Sequence, residues 1–230
     1  MEKNIKRHGL IAGISLIIMA IVAGIAFGYA HKSMVSELPE TTWTNISSNK
    51  SLFYIEIVSW IIIFMADIIV SISLYHFFKD VNSRISGITA AIRIIYSLIL
   101  GYAIFHLFKI LPLLGEQSDS YLSSNIAQSA SYFKAFEVFW SWGLVIFGLH
   151  LLGLGYLAYT SNRVNKIIAV LLLIGGLGYS FIHLSRRLEL IKVETINAAE
   201  GILTLPMALS EILLAFWLIF FSLKRKKVAA

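Results

Sequence analysis

Four side chains in this sequence stand where their chemistry is out of place. Asp67, Arg93, His150 and Glu211 each fall inside an otherwise apolar run. On insertion scales an ionisable side chain in such a run costs roughly 2.5 to 3.5 kcal/mol, so it needs a partner or a purpose. An aspartate and an arginine can pair and lock the register of two neighbouring helices, which is how buried charges usually persist. Two carboxylates sharing one arginine are over-supplied, however. Both cannot be fully compensated, and the surplus one can carry a proton. Register lock and proton carrier are therefore two uses of the same residues, and the sequence leaves both open.

Positioning these groups falls to six apolar runs, each of the length that crosses a ~30 Å hydrocarbon core as helix. The runs lie at about 9–30, 51–78, 87–114, 135–159, 167–186 and 203–223 of the 230 residues. Only 14% of the chain is charged and 58% is hydrophobic, whereas a soluble domain averages about 25% charged. The fold class predicted is all-α: a polytopic membrane protein, a six-transmembrane-helix bundle forming a single integral membrane domain over 1–230. The first run is longer than the ~7 to 15 apolar residues of a signal peptide, so it reads as a retained span. At ~1.5 Å per residue, Asp67 and Glu211 lie ~16 and ~18 Å from one end of their spans, near the midplane. Arg93 and His150 lie ~9 and ~12 Å from the same side, within reach of one cluster. Pro206 is expected in the first turn of the sixth span, where a missing N–H costs little. Gly9-x-x-x-Gly13 and Gly24-x-x-x-Gly28 offer places for another backbone to approach.

Charge sets the orientation. Eleven of the nineteen Lys and Arg fall on one side: Lys3, Lys6, Arg7, Lys79, Arg84, Arg163, Lys166, Lys224, Arg225, Lys226 and Lys227. Six fall on the other, and by the positive-inside rule both termini are cytoplasmic. The outer loops are mildly acidic, with Glu37, Glu40, Glu116 and Asp119 among their residues. Trp43, Tyr54, Tyr132, Trp140 and Trp142 are expected to form an outer aromatic belt. The formal charge of +6 follows from this topology and does not call for nucleic acid. The partner implied is the lipid bilayer, with a small solute or lipid as ligand and a homo-oligomer as a further arrangement.

A second polar group, Glu56, His106, Lys109 and His183, lies toward the outer face, with Glu137, Arg186 and Arg187 read as interfacial. Glu56 and Asp67 are eleven residues apart and return to nearly the same helix face, so a polar stripe can run from the outer surface to the midplane. His106 and His183 lie at similar depths, ~9 and ~5 Å, the arrangement of a bis-histidine haem site, but no wider pattern of paired histidines supports it. No cofactor or metal is therefore assigned. Zero cysteines exclude thiolate catalysis and Cys-ligated metals. No catalytic motif is present, and the balance leans away from an enzyme.

Several short motifs carry a family resemblance. Ala66-Asp67, Leu74-Tyr75, Lys79 to Asn82, Ala91 to Arg93, Phe147 to His150, Gly155-Tyr156, Gly176 to Tyr179 and Ser210-Glu211 to Trp217 resemble, in order and spacing, the bacterial membrane family called domain of unknown function 4386. Asn165 stands where the family often has proline, and Ala169 where it has glycine. The resemblance implies a multi-pass protein of the bacterial inner (plasma) membrane with about six helices, and it assigns no activity. It places Asp67, Arg93, His150, Tyr179 and Glu211 at positions the family pattern uses. The leading expectation is a bundle whose buried polar cluster binds or translocates a small solute or proton. The alternatives are a structural or protective membrane protein acting through partner contacts and, behind it, an intramembrane enzyme or haem protein.

Overall fold

Three asparagines set where helices begin. Asn49, Asn82 and Asn165 each accept a backbone N–H from two or three residues ahead, at 3.1, 3.0 and 2.8 Å, satisfying one of the donors a helix leaves free at its start. Asn165 does this in the turn where the resembled family often has proline. The helices they open are Lys50–Phe78, Ser83–Phe108 and Lys166–Leu188. The computed structural model describes residues 2–115 and 122–224. Glu116, Asp119, Arg225, Lys226 and Lys227, used above for topology, lie outside the described residues.

Among the described residues, six helical segments are long and apolar enough to span a membrane: Glu2–Met34, Lys50–Phe78, Ser83–Leu114, Leu122–Thr160, Lys166–Leu188 and Val193–Leu223. The protein is all-helical, and these are its first to sixth spans. Each span packs on its neighbours in sequence, and the sixth returns to pack on the first. The result is a ring of six helices in chain order. Glycine sets how closely some walls of the ring meet. A Cβ on Gly148 would stand 2.6 Å from the Gly176 carbonyl oxygen, and one on Gly13 would stand 2.8 Å from that of Ala215. Only a hydrogen fits at either contact, so the fourth span approaches the fifth, and the first approaches the sixth, backbone to backbone. Gly24 and Gly28, by contrast, meet nothing within 4 Å, so that expected approach is not made within the chain.

Several helices extend beyond the predicted apolar runs. The first span does not stop at residue 30: it continues through an eight-residue π-helix, Gly24–His31, to Met34. The wider i→i+5 turn changes the register of the last residues, and His31 is carried inward to 3% exposure. The third helix ends at Phe108 and passes into a 3-10 turn at Pro112–Leu114, where proline cannot supply a helical N–H. The fourth starts at Leu122 rather than near 135. The short helix Pro39–Ser48 packs on it, a contact that an apolar run does not reveal. The sixth starts at Val193, so Pro206 is inside the helix and not in its first turn. The fifth ends at Glu189 with φ 51°, closed by Leu190 N–H to the Ser185 carbonyl at 3.2 Å, a left-handed cap in which glycine is more usual.

Candidate functional site

Arg93 enters from the third span and spends all five of its N–H groups. Nε donates to Asp67 Oδ1 at 2.9 Å and Nη2 reaches the same oxygen at 2.6 Å. Nη1 donates to Glu211 Oε1 at 2.9 Å and meets His150 Nε2 at 3.1 Å. The remaining Nη2 proton faces Met19 Sδ at 3.8 Å. The Phe147 ring lies 5.3 Å from the guanidinium carbon, a cation–π distance. Five spans thus meet at one side chain: the first, second, fourth and sixth around an arginine of the third.

The tautomer of His150 follows from its other partner. Nδ1 lies 2.9 Å from the Thr89 carbonyl oxygen, which can only accept, so Nδ1 carries the hydrogen. Nε2 then presents its lone pair to Arg93, and the imidazole is neutral. The cluster holds two carboxylates, one guanidinium and a neutral histidine, which with both carboxylates ionised gives one surplus negative charge. Asp67 and Arg93 are 0% exposed while Glu211 is 19% exposed. Asp67 Oδ2 is buried with no hydrogen-bond partner.

Glu211 faces a cavity of about 600 Å³ inside the ring. Every span contributes to its lining, among them Met19, Trp60, Tyr96, Trp140, Tyr179 and Glu211. Arg186 and Glu200 stand at its rim, joined at 2.7 Å, with side chains 32% and 39% exposed. That end is the mouth, on the side the charge bias assigns to the exterior, and the arginine cluster is the floor. On the other side of the floor the ring is shut. Phe77 and Phe78 are 0% exposed, Arg163 donates to the Phe77 carbonyl, and Trp217 Nε1 donates to the Arg163 carbonyl at 2.8 Å.

A second charge centre lies higher in the same ring, and it contains a residue the sequence left in a loop. His31 Nδ1 lies 2.7 Å from Glu56 Oε1, and Nε2 lies 3.2 Å from Glu137 Oε1. Trp60 Nε1 donates to Glu56 Oε1 at 3.4 Å. Glu56 is 0% exposed, with Oε2 buried and unpartnered. Glu137 is 47% exposed and lines the cavity, so it is not merely interfacial. An imidazole that meets a carboxylate oxygen at both nitrogens needs a hydrogen on each bridge. Either His31 is doubly protonated, or one carboxyl holds the proton; the triad carries one net negative charge in both cases.

The remaining outer residues do not join Glu56. His106 Nδ1 donates to the Tyr102 carbonyl of its own helix at 3.1 Å, and its ring stacks on Phe139. Lys109 lies over Phe105 and Tyr132, 4.8 and 5.5 Å from their centroids. His183 Nδ1 meets the Ser141 hydroxyl at 3.0 Å. The two histidines weighed as haem ligands thus serve separate helix contacts. Tyr179 stands beside the floor with its ring edge-on to Phe147 at 5.2 Å, and among the described residues no hydrogen bond joins it to the arginine cluster. Trp140, expected in the outer belt, is inside: its ring meets Trp60 at 5.0 Å and Phe27 at 4.8 Å. Tyr54 and Trp142, 52% and 37% exposed, do face outward.

A closed ring of six spans around a charged floor defines a multi-pass helical membrane protein with an internal cavity. Its sequence narrows this further: residues 11–221 match the family described as Domain of unknown function (DUF4386), and the chain belongs to that family. An uncharacterized protein of Archaeoglobus fulgidus is 26% identical over 174 residues, covering 76% of this chain and 88% of the relative. No solved structure matches.

Proposed function

We propose that this chain binds a small solute inside the ring, taken from the outer face of the plasma membrane, with the Asp67–Arg93–Glu211 cluster as the floor of the site and its proton-carrying element. One observation carries this reading. Glu211 belongs at once to the cavity lining and to the buried ion cluster, so a ligand that reaches the floor acts on a charge balance shared with Asp67. Cavities of about 300 to 1,000 Å³ with mostly apolar walls and a few convergent polar groups are the usual form of small-molecule sites.

The absence of cysteine makes the test direct. A single cysteine at Ala208, on the cavity wall, is expected to react with a water-soluble thiol reagent, whereas one at the buried Ala169 is not. An unreactive Ala208→Cys in folded protein would remove the reading. In proteoliposomes, Asp67→Asn is expected to abolish any proton-linked solute flux that the parent protein shows.

Saturation of the guanidinium favours a second reading, in which the cluster only fixes the register of the spans and the protein works through partner contacts. On that reading, replacing Asp67 and Arg93 together by Leu and Met leaves activity in cells intact. Loss of activity in a folded double variant would contradict it.

A further inference from the structure

The two charge centres share one plan. Each pairs a fully buried carboxylate on the second span, Glu56 or Asp67, with one basic side chain, His31 or Arg93. Each adds a second carboxylate that shows in the cavity, Glu137 or Glu211. Both buried carboxylates keep one oxygen without a partner. Each centre is thus one positive charge short, at two depths about 16 Å apart along the second span. Aromatic rings from three spans line the wall between them: Phe27, Trp60, Trp140 and Phe147. Aromatic faces attract cations that have little hydration to lose, and do so most strongly where water is scarce. At the mouth, Arg186 is taken up by Glu200. Arg187, with Nε buried and unpartnered, is the one lining cation that argues for an anion.

We infer that the ligand of this cavity is an organic cation with an apolar body, met first by Glu137 near the mouth and held by Glu211 at the floor. This rests on the solute-binding reading above and names its substrate class. Two wall carboxylates, each belonging to a centre that carries one surplus negative charge when its acids are ionised, fit a quaternary or protonated amine or a phosphonium. The aromatic wall between the two carboxylates fits its hydrocarbon. A small hydrated metal ion would leave those walls unused, and an organic anion would meet both carboxylates with like charge.

The test uses two probes of nearly equal size and opposite charge, tetraphenylphosphonium and tetraphenylborate, on full-length Ala208→Cys protein in nanodiscs, with empty nanodiscs to subtract lipid partition. Tetraphenylphosphonium is expected to slow thiol modification of Ala208→Cys saturably, while tetraphenylborate leaves it unchanged. Adding Glu211→Gln is expected to weaken protection about tenfold or more. Glu137→Gln, at a half-exposed position clear of the floor, is expected to weaken it as well, and serves where the floor variant does not fold. Protection by tetraphenylborate alone, or by both probes equally and without regard to either glutamine, would overturn the cationic class and leave solute binding standing. A reactive cysteine that neither probe protects would overturn the inference while leaving the cavity open to water. An unreactive cysteine in folded protein would remove the cavity reading itself.

Discussion

Removing Arg93 alone strands Asp67, which is sealed from solvent and has no other donor to either oxygen among the described residues. Arg93→Met is therefore expected to destabilise the protein by about 3 to 5 kcal/mol, the cost of leaving a buried charge unpaired. Asp67→Leu combined with Arg93→Met is expected to recover most of that loss, because nothing charged then remains on the second span at that depth. Thermal unfolding of the three proteins in one detergent measures the difference. A double variant no more stable than Arg93→Met would show that Glu211 and His150 depend on the arginine as much as Asp67 does. The residues of this cluster were legible from sequence because a charge in an apolar run marks itself. His31 carries no such mark. It lies just past the first apolar run, among residues that read as a polar loop, and its inward turn depends on a π-helical register that hydrophobic pattern does not encode. Glu137 was visible but read as interfacial, since its partner was not in view.

At the level of elements, Gly148 and Gly28 have opposite environments. Gly148→Ala would push a methyl group against the Gly176 backbone and is expected to cost about 1 to 3 kcal/mol through forced separation of the fourth and fifth spans. Gly28→Ala, with open space around it, is expected to be neutral or slightly stabilising. Equal losses at both sites in thermal unfolding would mean that Gly28 meets a partner outside this chain, such as a second copy. The π-helix permits a sharper experiment. Deleting Gly28 should let Gly24–His31 return to α-helical geometry and turn His31 by roughly 100° relative to the preceding residues. The bridge to Glu56 would then be lost, and stability should fall while the span stays helical by circular dichroism. Helix identity was legible because apolar runs of spanning length leave few alternatives. Ends such as Leu122 and Val193 were not, because their first turns are polar and carry no apolar pattern.

For the whole molecule, an even number of spans places both termini on one side, and the charge bias names that side as the cytoplasm. In intact cells a membrane-impermeant thiol reagent is expected to modify Thr41→Cys, in the helix Pro39–Ser48, and to spare Ser83→Cys, at the start of the third span, until the cells are lysed. The reverse pattern would put the cavity mouth inside and would require any ligand to come from the cytoplasm.

The chain order of the charge centres bears on how the protein is made. Spans emerge from the ribosome from the N-terminus onward, and the ring closes only when the sixth meets the first. His31 and Glu56 arrive on consecutive spans, as do Asp67 and Arg93. Each sealed pair is thus available as a neutral hairpin early in synthesis, before most of the wall exists. Glu137 and Glu211, the carboxylates that show in the cavity, come later, on the fourth and sixth spans. A nascent chain halted after the third span already holds both basic groups, each matched to one carboxyl. The surplus negative charge of each centre enters the bilayer only with the later helices, so the charge facing the cavity is acquired after the sealed pairs.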